Sequence, residues 1–365
     1  MIPPYPYDRL EELRPLAERH AGGAVDLSVG TPTDPPPPCA LEALTDEGGA
    51  ARGYPPSAGT PALRRAIQDW VKDRLGAEVP LDSLAVCVGT KEYVATLPQW
   101  LKLRDPARDT VLYPAVAYPT YEMGARLAGL RPVPVRLDEK WHLDLGSVAA
   151  ADAGRALMLW VNSPGNPAGG LDDLGEVAAW ARGRDVPVFS DECYAEFTWE
   201  GPPRSVLTHG LDGVVAVHSL SKRSNMAGMR VGWYAGDAGL VAHLREVRKH
   251  AGLMVPGPVQ RAAAAALGDQ AHVEAQRARY IERLVRARAI LAAAGVEAPL
   301  PAGGFYLWAP VPGGDDWAWA RWMAEKAGVL VSPGSFYGAA GEGYVRLAMV
   351  APLERLDLVA ERLGV

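Results

Sequence analysis

Cysteine is nearly absent: 365 residues hold only Cys39, Cys87 and Cys193. They are scattered and odd in number, so neither a disulfide framework nor a cysteine-ligated zinc site is encoded, and no metal site is expected. A reducing, cytoplasmic setting follows as the expectation. No apolar run approaches the roughly 18 residues of a membrane span. The opening MIPPYPYDRLEEL lacks the basic, apolar and small-residue segments of a secretion signal. Basic charge is in deficit as well: 37 Lys and Arg face 43 Asp and Glu, a formal net charge of −6. That balance argues against nucleic acid or an anionic membrane as partner, because both need clustered excess cations. A small anionic ligand, which needs only one or two basic residues, stays open. Lysine itself is scarce, with 7 residues against 30 arginines, so each lysine in a special setting stands out. No Gly-x-Gly-x-x-Gly turn follows a strand-like run, which disfavours a doubly wound nucleotide-binding protein.

What is present is the composition of a globular chain. Hydrophobic residues make up 48% and charged residues 22% of it, and the length suggests about two domains with sizeable cores. After a Pro-rich entrance at residues 32–38, apolar runs alternate with amphipathic segments, the pattern of βα units around a parallel sheet. Five runs matter most: LAVCV before GTKE, TVLY before PAVAYPTY, LMLWV before NSPGNP, VPVFS before DECY, and VVAVHS before LSK. Each reads as a buried strand ending abruptly in polar residues. In open α/β sheets ligands bind beyond the carboxyl ends of the strands, so these five ends define one candidate pocket rim. A helix is expected from Pro61, capped by Thr60 and burying Leu63, Ile67, Trp70 and Val71. Residues 259–295 read as helical, with Ile281, Leu284, Val285 and Ile290 on one period. The remainder reads as a smaller α+β unit in which GGFYLWA and GYVRLAMV flank an aromatic helix.

The strongest chemical signal is SLSKRSNMAGMRVGW, residues 219–233. Lys222 lies just past a strand, where loss of solvation lowers an amine's pKa and frees a lone pair for imine formation. Ser219 and Arg230 are placed to bind a phosphate, the guanidinium as a multidentate cation. A lone lysine in a loop is ordinarily just a solvated side chain. Here the whole segment resembles the lysine signature of the class I pyridoxal-phosphate aminotransferases, and the resemblance extends from about Val25 to the C-terminus.

The resemblance implies a fold type I α/β architecture. A large, mostly parallel-sheet domain over residues 36–279 would bind the cofactor, a small α+β domain would span 280–365, and residues 1–35 would form an N-terminal arm and part of the small domain. It implies pyridoxal 5'-phosphate held by Lys222 as a Schiff base, with Ser219 and Arg230 on the phosphate. Asp191, in the D-x-x-Y pairing of VPVFSDECY, would meet the ring nitrogen and preserve its electron sink, and Tyr194 the phenolic oxygen. Without that context an Asp after a strand is a helix cap or a turn former. Asn166 of NSPGNPAG would donate to the same oxygen and border the substrate, although Gly165 and Ala168 replace commoner residues of that motif. Gly89, Thr90 and Lys91 open a helix whose N-terminal N–H groups suit the phosphate. Tyr118 would stack on the ring, with Tyr121 nearby. Arg346 and the backbone N–H of Gly30 would take the substrate's α-carboxylate, and Tyr54 would reach the phosphate of a neighbouring subunit in a homodimer.

Several segments, among them VGTKEYVATLP and VRKHAGLMVPGPVQ, look like the bacterial N-succinyldiaminopimelate aminotransferases. The expected substrates are therefore amino acids and 2-oxo acids, glutamate and 2-oxoglutarate among them, with N-succinyl-2-amino-6-oxopimelate as acceptor. Other aminotransferases of the family, acting on acetylornithine, aspartate or aromatic amino acids, remain open, as does a C–S lyase using the same lysine. A non-enzymatic regulator would need an attached DNA-binding domain, for which a chain opening at Met1 is expected to leave no room.

Overall fold

The computed structural model describes residues 3–45 and 52–365. All five apolar runs become strands of one seven-stranded sheet. In spatial order the strands are Leu84–Cys87, Gly232–Gly236, Val214–Ser219, Val188–Asp191, Ala156–Asn162, Thr110–Pro114 and Arg131–Val135. Neighbours are parallel throughout, except that Gly232–Gly236 runs antiparallel to both strands beside it. Two of the seven went unanticipated. Arg131–Val135 carries Pro132 and Pro134, which cannot donate to a ladder and are tolerated because this strand lies at the sheet edge. Gly232–Gly236 begins and ends in glycine and sits inside the stretch read for its lysine.

Helices cover both faces of this sheet, which is why its central strands are apolar without alternation; every residue of Ala156–Asn162 is buried. One face packs Leu159, Val161, Val188 and Ala216 against Leu63, Ile67, Val177 and Ala262. The other packs Trp160, Phe189, Val215 and Val217 against Tyr93, Leu97, Tyr121 and Leu244. The helix Pro61–Trp70 starts as its sequence dictates: Thr60 Oγ1 accepts from the Leu63 N–H at 3.3 Å, and Leu63, Ile67 and Trp70 face inward.

A second core forms around the antiparallel strands Ser332–Pro333, Tyr344–Ala348 and Tyr306–Pro310 and the helix Asp316–Ala327. The chain's opening segment joins it: Val25–Asp26 pairs in parallel with Val329–Leu330, and Leu10, Leu13 and Ala17 are buried there. Residues 259–295 are helical in two pieces, Gly257–Gly268 and Ala271–Ala293, separated at Asp269 and Gln270. The buried stripe of the longer one runs through Val273, Tyr280, Leu284, Ala287 and Leu291. Ile281 and Val285, expected on that stripe, are 46% and 50% exposed. Each follows a buried residue, Tyr280 or Leu284, by one position, which places it about 100° further round the helix and beyond the packed face. Arg283 ties this helix to the N-terminal segment through a two-pronged contact with Asp34 at 2.7 and 2.8 Å.

Candidate active site

The carboxyl ends of the central strands open into a cavity of about 400 Å³. Asn162, Asp191 and Ser219, each the last residue of its strand, form part of its wall. The loops that follow add Thr90, Lys91, Tyr118, Asn166, Tyr194, Lys222 and Arg230, while the smaller sheet contributes Tyr306 and Arg346 and the N-terminal segment Gly30. Eleven residues expected from sequence are thus brought together. Gly89 lies just behind the wall with φ +74°, and a Cβ added there would collide with the Arg230 guanidinium. Only glycine therefore lets that cation approach the start of the helix Thr90–Arg104. Tyr54 stands apart, 96% exposed and outside the cavity of its own chain.

Lys222 is held on the helical turn Leu220–Arg223 directly after the strand, and its Nζ donates to the Gly30 carbonyl. Burial pushes this amine down to about 8, with the positive charges of Arg346 and Arg230 adding to the effect and Cys193 opposing it. Asp191 is buried, and burial pushes its carboxyl up. Two hydrogen bonds oppose that rise and favour the charged form: Tyr121 Oη donates to Oδ2 at 2.8 Å and the Cys193 N–H to Oδ1 at 3.2 Å. Tyr121, read from sequence only as a neighbour of Tyr118, is therefore a direct partner of the carboxylate.

Arg346 is 2% exposed. Nη1 donates to Asn166 Oδ1 at 2.9 Å and Nη2 to the Ser28 carbonyl, which uses two of the five guanidinium N–H groups. Its Nε has no hydrogen-bond partner among the described residues. The guanidinium lies 4.2 Å from the Tyr306 ring centroid and 5.0 Å from that of Tyr337. Asn166 is fixed in turn by its own N–H, which donates to Asn162 Oδ1 at 2.7 Å. Arg346 is thus a buried cation flanked by aromatic faces, with no carboxylate paired to it among the described residues.

Tyr5 and Tyr7 also line the cavity and were not singled out from sequence. Tyr7 Oη lies 2.8 Å from Tyr337 Oη, and Lys91 Nζ donates to Tyr5 Oη at 3.0 Å. The PYPYDRL segment therefore packs against the site, and two tyrosines alternating with prolines carry no periodicity that would have marked it in the sequence. Tyr306 was likewise passed over, because GGFYLWA reads as an ordinary buried strand.

Residues 23–363 match the family described as aminotransferase class I and II. The 4-dedimethylamino-4-oxo-anhydrotetracycline transaminase OxyQ of Streptomyces rimosus is 44% identical, with 99% of each chain covered. An LL-diaminopimelate aminotransferase of Desulforudis audaxviator is 38% identical over 99% of this chain and 95% of its own. Among solved structures, a probable N-succinyldiaminopimelate aminotransferase from Thermus thermophilus superposes with a TM-score of 0.87 at 30% identity, covering 98% of both chains. The chain belongs to the class I and II aminotransferases, enzymes of the type I fold that work with pyridoxal phosphate.

Proposed function

We propose that this aminotransferase moves an amino group from glutamate to N-succinyl-2-amino-6-oxopimelate, acting as a cytoplasmic homodimer. The observation that carries the reading is the presence in one cavity of a desolvated amine, Lys222, and a buried guanidinium with unused donors, Arg346. Glutamate and the acceptor's oxo-acid end each bring a carboxylate beside the reacting carbon. The probable N-succinyldiaminopimelate aminotransferase among the solved structures supports the choice of acceptor, and the LL-diaminopimelate aminotransferase supports its diaminopimelate skeleton without the succinyl group. Three unpaired cysteines support a reducing compartment, and no helix among the described residues is long and apolar enough to cross a membrane. In the dimer, the exposed Tyr54 reaches the neighbouring subunit's phosphate site.

Pyridoxal phosphate fits the residues present. Ser219, Arg230 and the start of the helix at Thr90 form a donor set for a phosphate, and Gly89 leaves the room they need. Buried Asp191, supported by Tyr121, suits a protonated ring nitrogen, with Tyr118 on the ring face and Asn166 and Tyr194 toward the phenolic oxygen. When bound, the cofactor supplies an electrophilic carbonyl and a ring that withdraws electrons from the substrate's Cα. Arg346 grips the carboxylate in a fixed plane and so sets which bond at Cα faces Lys222. The Lys222 amine then takes the Cα proton as general base. The lowered pKa gives it a neutral fraction near neutrality that an ordinary lysine lacks. Tyr5 and Tyr7 cover the cavity and keep water from the reacting carbon.

A single-turnover absorbance titration of the holoenzyme tests the reading, with glutamate, N-succinyl-LL-diaminopimelate, LL-diaminopimelate and N-acetylornithine in parallel. Rapid spectral conversion by glutamate and the succinylated compound supports it. Conversion by glutamate and unsuccinylated diaminopimelate, or by acetylornithine, moves the acceptor elsewhere, and release of pyruvate and ammonia from a cysteine conjugate marks a C–S lyase. A cyclic ketone acceptor is the second reading, favoured by the tyrosine-lined cavity and by the 44% identity to an enzyme named for a 4-oxo-anhydrotetracycline. Amination of such a ketone at a rate above that of the succinylated acceptor would select it.

A further inference from the structure

Arg346 and Tyr194 stand on different elements, and one side chain touches both. In the antiparallel pair, Arg346 faces Trp308, and Tyr306 faces Ala348. Tyr306 and Trp308 are two apart on their strand, so Tyr306 projects on the same face as Arg346 and lies diagonal to it, within reach of a long side chain. The contacts follow from that register. The Tyr306 ring lies 4.2 Å under the Arg346 guanidinium, and the Tyr306 hydroxyl lies 2.8 Å from the Tyr194 hydroxyl. Gly30 makes the arrangement possible, since any Cβ there would overlap the Tyr306 hydroxyl, and the carbonyl of the same glycine accepts from Lys222.

We propose that Tyr306 is a positioning residue that couples the carboxylate grip to the cofactor side of the site, steadying Arg346 with its ring and orienting the Tyr194 proton with its hydroxyl. The inference rests on the roles given above to Arg346 and Tyr194 and goes beyond them. A core tyrosine kept only for packing would be served as well by phenylalanine. Among the described residues this hydroxyl instead has a single hydrogen-bond partner, another tyrosine hydroxyl, inside a cavity wall. Either hydroxyl can donate across this contact; when a ligand in the cavity takes the Tyr194 proton, the Tyr306 O–H turns to donate to Tyr194 Oη, and a donor that itself accepts a bond is the stronger donor. Ring and hydroxyl thus do separable things.

The test separates them in the holoenzyme. Tyr306→Phe, Tyr306→Leu and a Tyr194→Phe control are compared by pH titration of the cofactor's absorbance and by the Kd of maleate, an unreactive dicarboxylate. Tyr306→Phe should raise the midpoint of the spectral titration by about 0.5–1 unit, because a hydrogen bond favouring the deprotonated form is weakened. Its maleate Kd should stay within about twofold of the parent. Tyr306→Leu should raise the same Kd by about tenfold through loss of the ring under the guanidinium. If Tyr194→Phe moves the midpoint and Tyr306→Phe does not, the coupling is overturned while the reading of Tyr194 survives. A midpoint unmoved by both removes the reading of Tyr194 and the coupling with it. Unchanged maleate binding in Tyr306→Leu overturns the ring's part.

Discussion

Arg346 and Asn166, 180 residues apart in sequence, meet through an Nη1 to Oδ1 hydrogen bond of 2.9 Å inside the protein. The contact joins the antiparallel sheet to the loop that follows a central strand of the large sheet. From Asn166 the chain of bonds continues to Asn162 Oδ1, and Asn162 Nδ2 donates to the Asp191 carbonyl at 2.8 Å. A carboxylate bound at Arg346 is thereby placed in a fixed relation to the Asp191 end of the cavity.

Arg346→Lys is the sharpest probe of that relation, because it keeps the charge and removes the planar fork. A lysine has three donors on one nitrogen, so it cannot keep the bonds to Asn166 and the Ser28 carbonyl and still offer a carboxylate two parallel bonds. Loss of one charge-assisted bond of about 2–3 kcal/mol corresponds to a KM for amino donors raised by about 30–150-fold. Cofactor affinity, measured by absorbance titration of the apoenzyme, should change little. A KM within threefold of the parent would remove Arg346 from carboxylate binding.

Lys222 gives a pH dependence with a definite sign. Its Nζ is brought down to about 8, so the neutral, nucleophilic amine is half populated there and falls about tenfold per unit below pH 7. The rate at which apoenzyme captures pyridoxal phosphate should rise from pH 6 to 8 and level off above about 9. Stopped-flow absorbance across that range measures it, and a rise centred near 10.5 would show an ordinary, solvated lysine. Borohydride reduction of the holoenzyme should fix the cofactor on Lys222, and Lys222→Ala should leave nothing trapped.

Much of this site was legible because its residues lie at strand ends inside short, locally constrained segments. Asp191 and Ser219 each close an apolar run, and Lys222 follows Ser219 by three residues; a buried strand that stops in polar residues marks its own carboxyl end. Tyr306 and Tyr7 were illegible for the opposite reason. Their roles depend on register between distant strands and on an arm folded back over the cavity, and neither leaves a local pattern. Arg131–Val135 gave no strand signal because two of its five residues are prolines, and only its edge position reconciles them with a sheet. Ile281 and Val285 show that helical spacing places residues on a face without saying which face is buried.

Glu196 gathers a buried network whose loss should be felt in stability. Its carboxylate accepts from Trp70 Nε1 at 2.9 Å, from Arg74 at 3.2 Å and from Arg223 at 3.3 Å. The charges of Arg223 and Arg74 hold this carboxyl below its ordinary range against the opposing effect of burial. Glu196→Gln keeps the shape and leaves Arg223, 4% exposed, without its counter-charge. A loss of about 3 kcal/mol is expected at pH 7, read by urea denaturation. Because the folded pKa is depressed, the contribution is present above the ordinary carboxylate range and fades as pH falls through the folded value. The difference between parent and variant should therefore narrow in acid.

Asp172 should behave in the reverse sense. It is 5% exposed, its Oδ1 accepts from the Leu143 N–H at 2.7 Å, and burial raises its carboxyl to about 6 from 3.8, against the pull of that bond and of His142. A folded pKa above the unfolded one means that the folded chain holds the proton more tightly. Its contribution to stability is then full below about 4, is lost as pH rises toward 6, and stays lost above. Asp172→Asn keeps an acceptor for Leu143 and removes the buried charge. The variant should be more stable than the parent by about 3 kcal/mol at pH 7.5, with the gain shrinking to nearly nothing by about pH 4. Urea denaturation of both proteins at pH 4.5, 6 and 7.5 decides the matter. A stability difference independent of pH would mean that Asp172 is not charged in the folded protein at neutrality, and a loss at pH 7.5 would mean that the ionised carboxylate is held by more than the Leu143 amide.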